Sequence, residues 1–199
     1  MTAGLAALRR FVRRPAAAEE RCELCGSAIP KRHEHLVDPA RHELKCACGP
    51  CAILFPQREG ARFARVRPRV EPLPGFQLED ARWDELRIPV GLAFFFRSSA
   101  AGRVVAFYPS PAGATESLIE LDAWETIERD NPPLAAIQPD VEALLVRRIG
   151  SLREHYLVSI DHCYHLVGLV RLHWHGFSGG AAAREQIERF FAELRGGHA

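Results

Sequence analysis

The chain has 199 residues, of which 47% are hydrophobic, so it is long enough to bury a core of its own. Its 26 lysines and arginines nearly balance its 25 aspartates and glutamates, giving a formal net charge of +1 at pH 7. This balance argues against a strong electrostatic attraction to nucleic acid or to an anionic membrane. No apolar run approaches the roughly eighteen residues of a membrane-spanning helix.

The first eighteen residues are predicted to form a short amphipathic helix, residues 1–18, that ends before the body of the protein. Leu5, Leu8 and Val12 share one face, and arginines occupy the other. We interpret it as a helix packed on the main domain, with a docking arm for a partner as the alternative. A signal peptide has its positive charges before a longer apolar stretch, which is the reverse of this order. A cytoplasmic location is therefore expected.

Five of the six cysteines fall within residues 22–51. Cys22 and Cys25 are separated by two residues and followed by Gly26, and Cys48 and Cys51 have the same two-residue gap. Such a gap lets both sulfur atoms point at one ion, and two pairs at this separation are typical of a structural metal site. In a reducing cytoplasm, metal ligation is favoured over disulfide bonds, which are the alternative.

We therefore predict that Cys22, Cys25, Cys48 and Cys51 bind a metal ion. Four thiolates suit Zn²⁺, the cofactor we favour, but they also suit a single iron or an iron–sulfur cluster. A zinc ion in a closed four-sulfur shell would stabilise the fold and perform no catalysis. Cys46 could replace Cys48 as a ligand or lie beside the site as a protonated thiol.

The cysteines define a predicted zinc-ribbon-like module at residues 19–56. Its centre is a predicted hairpin, in which the alternating segment from His33 is followed by a turn signal at Asp38 and a returning strand. His33 and His35 could be alternative ligands, but we interpret them as ordinary exposed histidines. The module is followed at residues 57–77 by a stretch rich in proline and arginine, predicted to be a linker with one edge strand.

The remaining residues, 78–199, are predicted to form an α+β domain with an antiparallel sheet and flanking helices on one face. Asp161 is the predicted N-cap of its first long helix. In chain order the predicted elements are a helix at 79–87, a hairpin of strands at 90–97 and 103–108, a helix at 122–129, a hairpin of strands at 141–148 and 155–160, and two helices from 161 and from about 187.

Outside the cysteine pairs, the sequence contains no nucleophile, base and acid whose spacing would indicate an enzyme, and no catalytic residue is predicted. His162 and His165 lie three apart on one predicted helix, a spacing that can bind a metal. No carboxylate accompanies them at the required position, so we do not predict a site there. Cys163 is interpreted as a small buried side chain on the apolar stripe of the same helix.

Four features of the sequence belong together: Cys-Glu-Leu-Cys-Gly with Cys-Ala-Cys-Gly-Pro-Cys, Ile-Pro-Val-Gly-Leu-Ala-Phe-Phe, the stretch 102–117, and Trp-His-Gly-Phe-Ser-Gly-Gly near the C-terminus. Together they resemble one uncharacterised, mainly actinobacterial family, a domain of unknown function. The resemblance covers nearly the whole chain after about residue 19. It implies a genomic association with uptake-type NiFe hydrogenases, and it implies no activity and no catalytic residue.

The favoured hypothesis is thus a non-enzymatic metal-binding accessory protein that contacts hydrogenase subunits or their maturation factors. A rubredoxin-like or iron–sulfur electron carrier that uses the same cysteines is the first alternative. A zinc-ribbon regulator that binds nucleic acid is the second, and the near-neutral charge counts against it.

Overall fold

Two antiparallel sheets organise the chain in a computed structural model, which describes residues 20–55, 61–118, 121–176 and 179–197. The helix predicted at residues 1–18 lies outside these ranges. The smaller sheet has three strands and the larger has six. The fold is therefore α+β, with the cysteines in the N-terminal part and a helix-flanked sheet domain after them, as predicted.

The small sheet contains the predicted hairpin. Its strands are β1 (Glu34–Asp38) and β2 (Glu43–Ala47), and β3 (Ala64–Val66) pairs with the other edge of β1. The turn between β1 and β2 forms because the Asp38 side chain accepts hydrogen bonds from the backbone N–H groups of Ala40 and Arg41. A five-residue helix, α1 (Gly49–Ile53), follows β2 directly.

The large sheet has six strands: β4 (Val70–Pro72), β5 (Leu92–Ser98), β6 (Arg103–Ser110), β7 (Gly113–Ser117), β8 (Glu142–Arg147) and β9 (Glu154–Ser159). Their order in the sheet is β4-β9-β8-β5-β6-β7, so most neighbours in sequence are also neighbours in the sheet. The other helices are α2 (Asp80–Glu85), α3 (Leu121–Asp130), a 3₁₀ helix (Pro132–Ala136), α4 (Ile160–His173) and α5 (Gly180–Gly196).

Helices cover both faces of the large sheet, and the prediction that they lie on one face was wrong. Phe94 belongs to a hydrophobic cluster with residues of α4 and α5, whereas its neighbour Phe95 packs in a second cluster with Trp83 of α2 and Trp124 of α3. The reason is visible in β5, whose residues from Leu92 to Phe96 are all buried. A strand that is apolar on both faces needs a layer on each side.

The stretch predicted as a linker, residues 57–77, contains two short strands. β3 extends the small sheet and β4 pairs antiparallel with β9 of the large sheet. β4 is an edge strand, the position in a sheet that tolerates a proline such as Pro72. This part of the chain therefore contributes a strand to each sheet.

The two sheets share a core. Val37, Ala64 and Val66 of the small sheet belong to the same buried cluster as residues of β5, α4 and α5. A polar contact also joins the small sheet to α4: the Tyr164 hydroxyl donates a hydrogen bond to the backbone carbonyl of His42, in the turn between β1 and β2. None of the helices in the described ranges is long and apolar enough to cross a membrane.

Candidate metal centre

The first cysteine pair lies on a tight turn. The backbone N–H of Gly26 donates to the carbonyl of Cys22 at 2.8 Å, and the N–H of Cys22 donates to the carbonyl of Ser27 at 2.8 Å. Gly26 has a φ of +76°, a conformation that side chains with a Cβ rarely adopt. Gly26 thus closes the turn, and the turn directs the side chains of Cys22 and Cys25 toward the same point.

The second pair is presented differently. Cys48 is the N-cap residue of α1, and Cys51 lies inside this helix, whose first turn also contains Pro50. Proline favours the first turn of a helix because it has no N–H to satisfy there. The two pairs have the same spacing in the sequence but different local structures. Cys22 and Cys25 lie on a turn, and Cys48 and Cys51 lie at the N-terminus of α1.

The tertiary structure brings all four predicted ligands together. The sulfur atoms of Cys22, Cys25, Cys48 and Cys51 lie within 4.8 Å of one another, and those of Cys25 and Cys48 are 3.7 Å apart. A tetrahedral zinc site with Zn–S bonds of about 2.3 Å has sulfur atoms roughly 3.8 Å apart. All six cysteines are free thiols. The four sulfurs are thus close enough to hold one metal ion.

Local hydrogen bonds shift the pKa values of Cys22 and Cys51 in opposite directions. Burial raises the pKa of Cys22, but backbone hydrogen bonds at Cys48, Cys25 and Leu24 outweigh it and lower the pKa to about 6. The pKa of Cys51 is raised to about 12, because its protonated form donates to the sulfur atoms of Cys48 and Cys25. Cys22 is therefore the more acidic thiol of these two, and Cys51 would release its proton when a metal ion binds.

Little apolar packing supports these thiols. The buried residues of this cluster are Cys22, Ile29, Leu36, Ala47 and Ala52, with Phe55 and Phe63 stacked edge-to-face beside them. Next to the cysteines along the chain, Ile53 and Leu54 are 67% and 73% exposed, and Leu24 is 37% exposed. The centre therefore combines a small core with apolar side chains that face solvent.

Cys46 belongs to a different group from the other four clustered cysteines. Possible ligand atoms of His33, His35 and Cys46 lie within 4.8 Å of one another, in a second set of potential metal ligands. The interpretation of these histidines as ordinary exposed residues was wrong for His33, whose side chain is only 7% exposed. In the sequence, the two-residue spacing of His33 and His35 in a predicted strand indicated that they could act together. The strand register, which places Cys46 opposite His35, could not be read from the sequence.

Among the described residues, the histidines of α4 do not belong to a set of potential metal ligands. His162 Nδ1 is 3.0 Å from Ser159 Oγ, and neither His162 nor His165 joins a group of potential ligands. Cys163 is fully buried, which raises the pKa of its thiol well above the usual value. The prediction of Asp161 as N-cap was wrong, because Ser159 holds that position and Asp161 lies in the first turn of α4.

Asp161 instead connects this helix to the small sheet. Its carboxylate is 3.0 Å from Nδ1 of His35 and accepts the backbone N–H of His162 at 3.0 Å. Burial raises its pKa, but the hydrogen bonds from His162, His35 and Ser159 outweigh that effect and hold the pKa well below the ordinary range. Asp161 is therefore an ionised acceptor for His35.

Comparison with known proteins gives one match. A family model described as a family of unknown function (DUF5947) covers residues 21–198. No curated protein and no solved structure matches the chain. Because the matched range includes both sheets and every cysteine, the chain belongs to this family of unknown function, DUF5947.

Proposed function

We propose that this protein is a non-enzymatic, cytoplasmic accessory protein that binds Zn²⁺ through Cys22, Cys25, Cys48 and Cys51 and supports the assembly or function of a NiFe hydrogenase through protein contacts. The observation that carries the proposal is the convergence of the four sulfur atoms within 4.8 Å. Four thiolates complete a tetrahedral shell, so the ion would stabilise the module and leave no coordination position for a substrate.

The exposed apolar side chains beside the cysteines support a role in protein contacts. Ile53 and Leu54 follow Cys51 after Ala52, and both lie largely in solvent. Exposed apolar groups next to one another are candidates for a contact surface. The genomic association with NiFe hydrogenases that the family resemblance implies is the reason for proposing hydrogenase subunits or their maturation factors as the partner.

The metal is tested by elemental analysis and an absorption spectrum of the same purified sample. We expect one tightly bound zinc per chain and no visible colour. A coloured protein whose spectrum changes on reduction would instead identify an iron centre and favour the electron carrier.

The partner is tested by capture of hydrogenase subunits and maturation factors on the immobilised protein. The matched variants are Ile53→Ser with Leu54→Ser, which change the apolar pair, and Leu172→Ser, which changes an exposed leucine of α4 (74% exposed). We expect the double variant to lose capture and the control to retain it. Recovery of no subunit or maturation factor by the unaltered protein would contradict the hydrogenase role.

A further inference from the structure

Two imidazoles and a thiol lie together at one end of the β1–β2 hairpin. His35 and Cys46 are directly opposite each other in the antiparallel register, and directly opposed residues have Cβ atoms about 5 Å apart. His33 immediately precedes β1, two positions before His35. The rings of His33 and His35 are in edge contact with their centroids 4.8 Å apart.

Each imidazole is already fixed at its Nδ1 atom. His33 Nδ1 lies 2.9 Å from the carbonyl oxygen of Pro30, and His35 Nδ1 lies 3.0 Å from a carboxylate oxygen of Asp161. A carbonyl and a carboxylate can only accept, so Nδ1 carries the proton in both rings. In the neutral rings the lone pair is then on Nε2, the arrangement found in histidines that bind metals.

The Nε2 atom of His33 is buried and lacks a hydrogen-bond partner among the described residues. The His33 side chain is 7% exposed. A buried nitrogen in a protein normally has a partner, because leaving it without one is unfavourable. A cation held between His33, His35 and Cys46 would supply that partner.

The backbone of Cys46 is also held in place. Its N–H donates to the Glu23 carboxylate at 2.6 Å, and its carbonyl accepts the N–H of Glu23 at 2.9 Å. Glu23 lies between Cys22 and Cys25, so the loop of the first cysteine pair positions Cys46 as well. The loop of the first cysteine pair thus contributes to both sets of ligands, which share no side chain.

We propose that His33, His35 and Cys46 form a second metal site, which binds a borderline divalent cation of the Zn²⁺ type through two nitrogens and one sulfur. Imidazole and thiolate together suit such ions better than hard cations, which prefer oxygen. Three protein ligands leave a fourth tetrahedral position for water or an external ligand. The four-cysteine set, in contrast, would leave no open coordination position. The second site does not depend on the proposed function.

The test uses the full-length protein loaded with one zinc, to which Co²⁺ is added under reducing conditions. We expect one Co²⁺ per chain and an absorption spectrum of a tetrahedral ion with a single thiolate ligand. Uptake of no Co²⁺, or a four-thiolate spectrum caused by exchange into the cysteine set, would overturn the proposal. If the protein as purified lacks zinc but binds one Co²⁺ with the single-thiolate spectrum, the second site stands and the zinc part of the proposed function fails.

Variants assign the ligands. His33→Ala and Cys46→Ser are expected to weaken Co²⁺ binding at least 100-fold, and Asp161→Asn, which changes the acceptor of His35 but no ligand, about 10- to 100-fold. His165→Ala removes an exposed histidine of α4 and is the matched control, with unchanged affinity. Equal binding by His33→Ala, Cys46→Ser and the unaltered protein would place the ion elsewhere and overturn the assignment.

A measurement on the unaltered protein covers the case in which a variant fails to fold. In ¹⁵N spectra of the imidazoles, Zn²⁺ should shift the Nε2 resonances of His33 and His35 while their Nδ1 atoms keep their protons. Shifts confined to other histidines would overturn the proposal without reference to any variant.

Discussion

The cysteine module and the large sheet are stabilised by different means. The large sheet lies between two apolar layers, and side chains such as Phe94, Leu145 and Leu157 are fully or almost fully buried. The cluster around the cysteines instead contains small residues such as Ala47 and Ala52. A segment with so little apolar burial needs another source of stability, and a metal ion bound by the four thiols would provide it.

The two regions are nevertheless in contact. Val37 packs in the core of the large sheet, and the His35–Asp161 hydrogen bond joins the hairpin to α4. A metal can therefore organise one end of the module while apolar packing anchors the other. Substitutions in each region would measure how far the two depend on each other.

The largest effect is expected from loss of the metal ligands. Cys25 is exposed, so Cys25→Ser changes little packing but removes one sulfur from the four-cysteine set. Binding free energies of structural zinc are on the order of 10 kcal/mol, and most of that should be lost. Hydrogen exchange should show loss of protection at residues 20–55 while β5 and β8 stay protected.

Cys163→Ala is the matched control for that prediction, because it removes a buried thiol outside both sets of ligands. It should retain the full metal content. If Cys25→Ser instead abolished the cooperative melting of the whole protein, the two regions would behave as one unit.

The second prediction concerns the large sheet. Phe94→Ala should lower the free energy of unfolding by about 3–5 kcal/mol, because it leaves a cavity at a fully buried position. Urea unfolding followed by fluorescence measures the change, and Leu172→Ala, at an exposed position, should alter it by less than about 0.5 kcal/mol. The metal content of the folded Phe94→Ala protein should be unchanged, and a loss of metal would show that the sheet controls the centre.

The third prediction is a pH dependence that originates in the large sheet. Burial, aided by the nearby charges of Arg148 and Arg153, lowers the pKa of His155 from 6.5 to about 4. The unfolded chain therefore binds a proton that the folded protein excludes between these values, and stability falls as the pH drops through this window. Between pH 7.5 and pH 5 this residue alone should account for a loss of about 2 kcal/mol.

Urea unfolding at the two pH values measures that loss, and His155→Gln should reduce the difference between them. The control is His165→Ala, which changes an exposed histidine. An equal pH dependence in His155→Gln and the unaltered protein would assign the acid sensitivity to other groups.

The smallest effect is expected at the first cysteine turn. Gly26→Ala should destabilise the module by about 1 kcal/mol, because its φ of +76° is unfavourable for a residue with a Cβ. Gly49→Ala is the matched control, since Gly49 starts α1 without a positive φ and with no atom near the added Cβ. Metal affinity measured by competition with a chelator should fall for Gly26→Ala and stay unchanged or rise for Gly49→Ala.

The features that the sequence predicted well are local ones. The two-residue gaps identified the four cysteines that come together, and the turn at Asp38 was recognisable because a short side chain caps its own backbone. The hairpin of β5 and β6 across Gly102 followed from two apolar runs and the break between them, whereas β7 was not among the predicted strands. These signals depend on residues a few positions apart.

The sequence by itself determined that two cysteine pairs with two-residue gaps can share one site and that the chain is an α+β protein, since both follow from spacing along the chain. Only the tertiary structure decided that helices cover both sheet faces, that the proline-rich stretch adds a strand to each sheet, and that Cys48 completes the four-cysteine set while Cys46 joins His33 and His35. These outcomes depend on strand register and on packing between distant segments, for example His35 with Asp161 across 126 positions. Such contacts are fixed by burial in three dimensions, and no local pattern of residues encodes them.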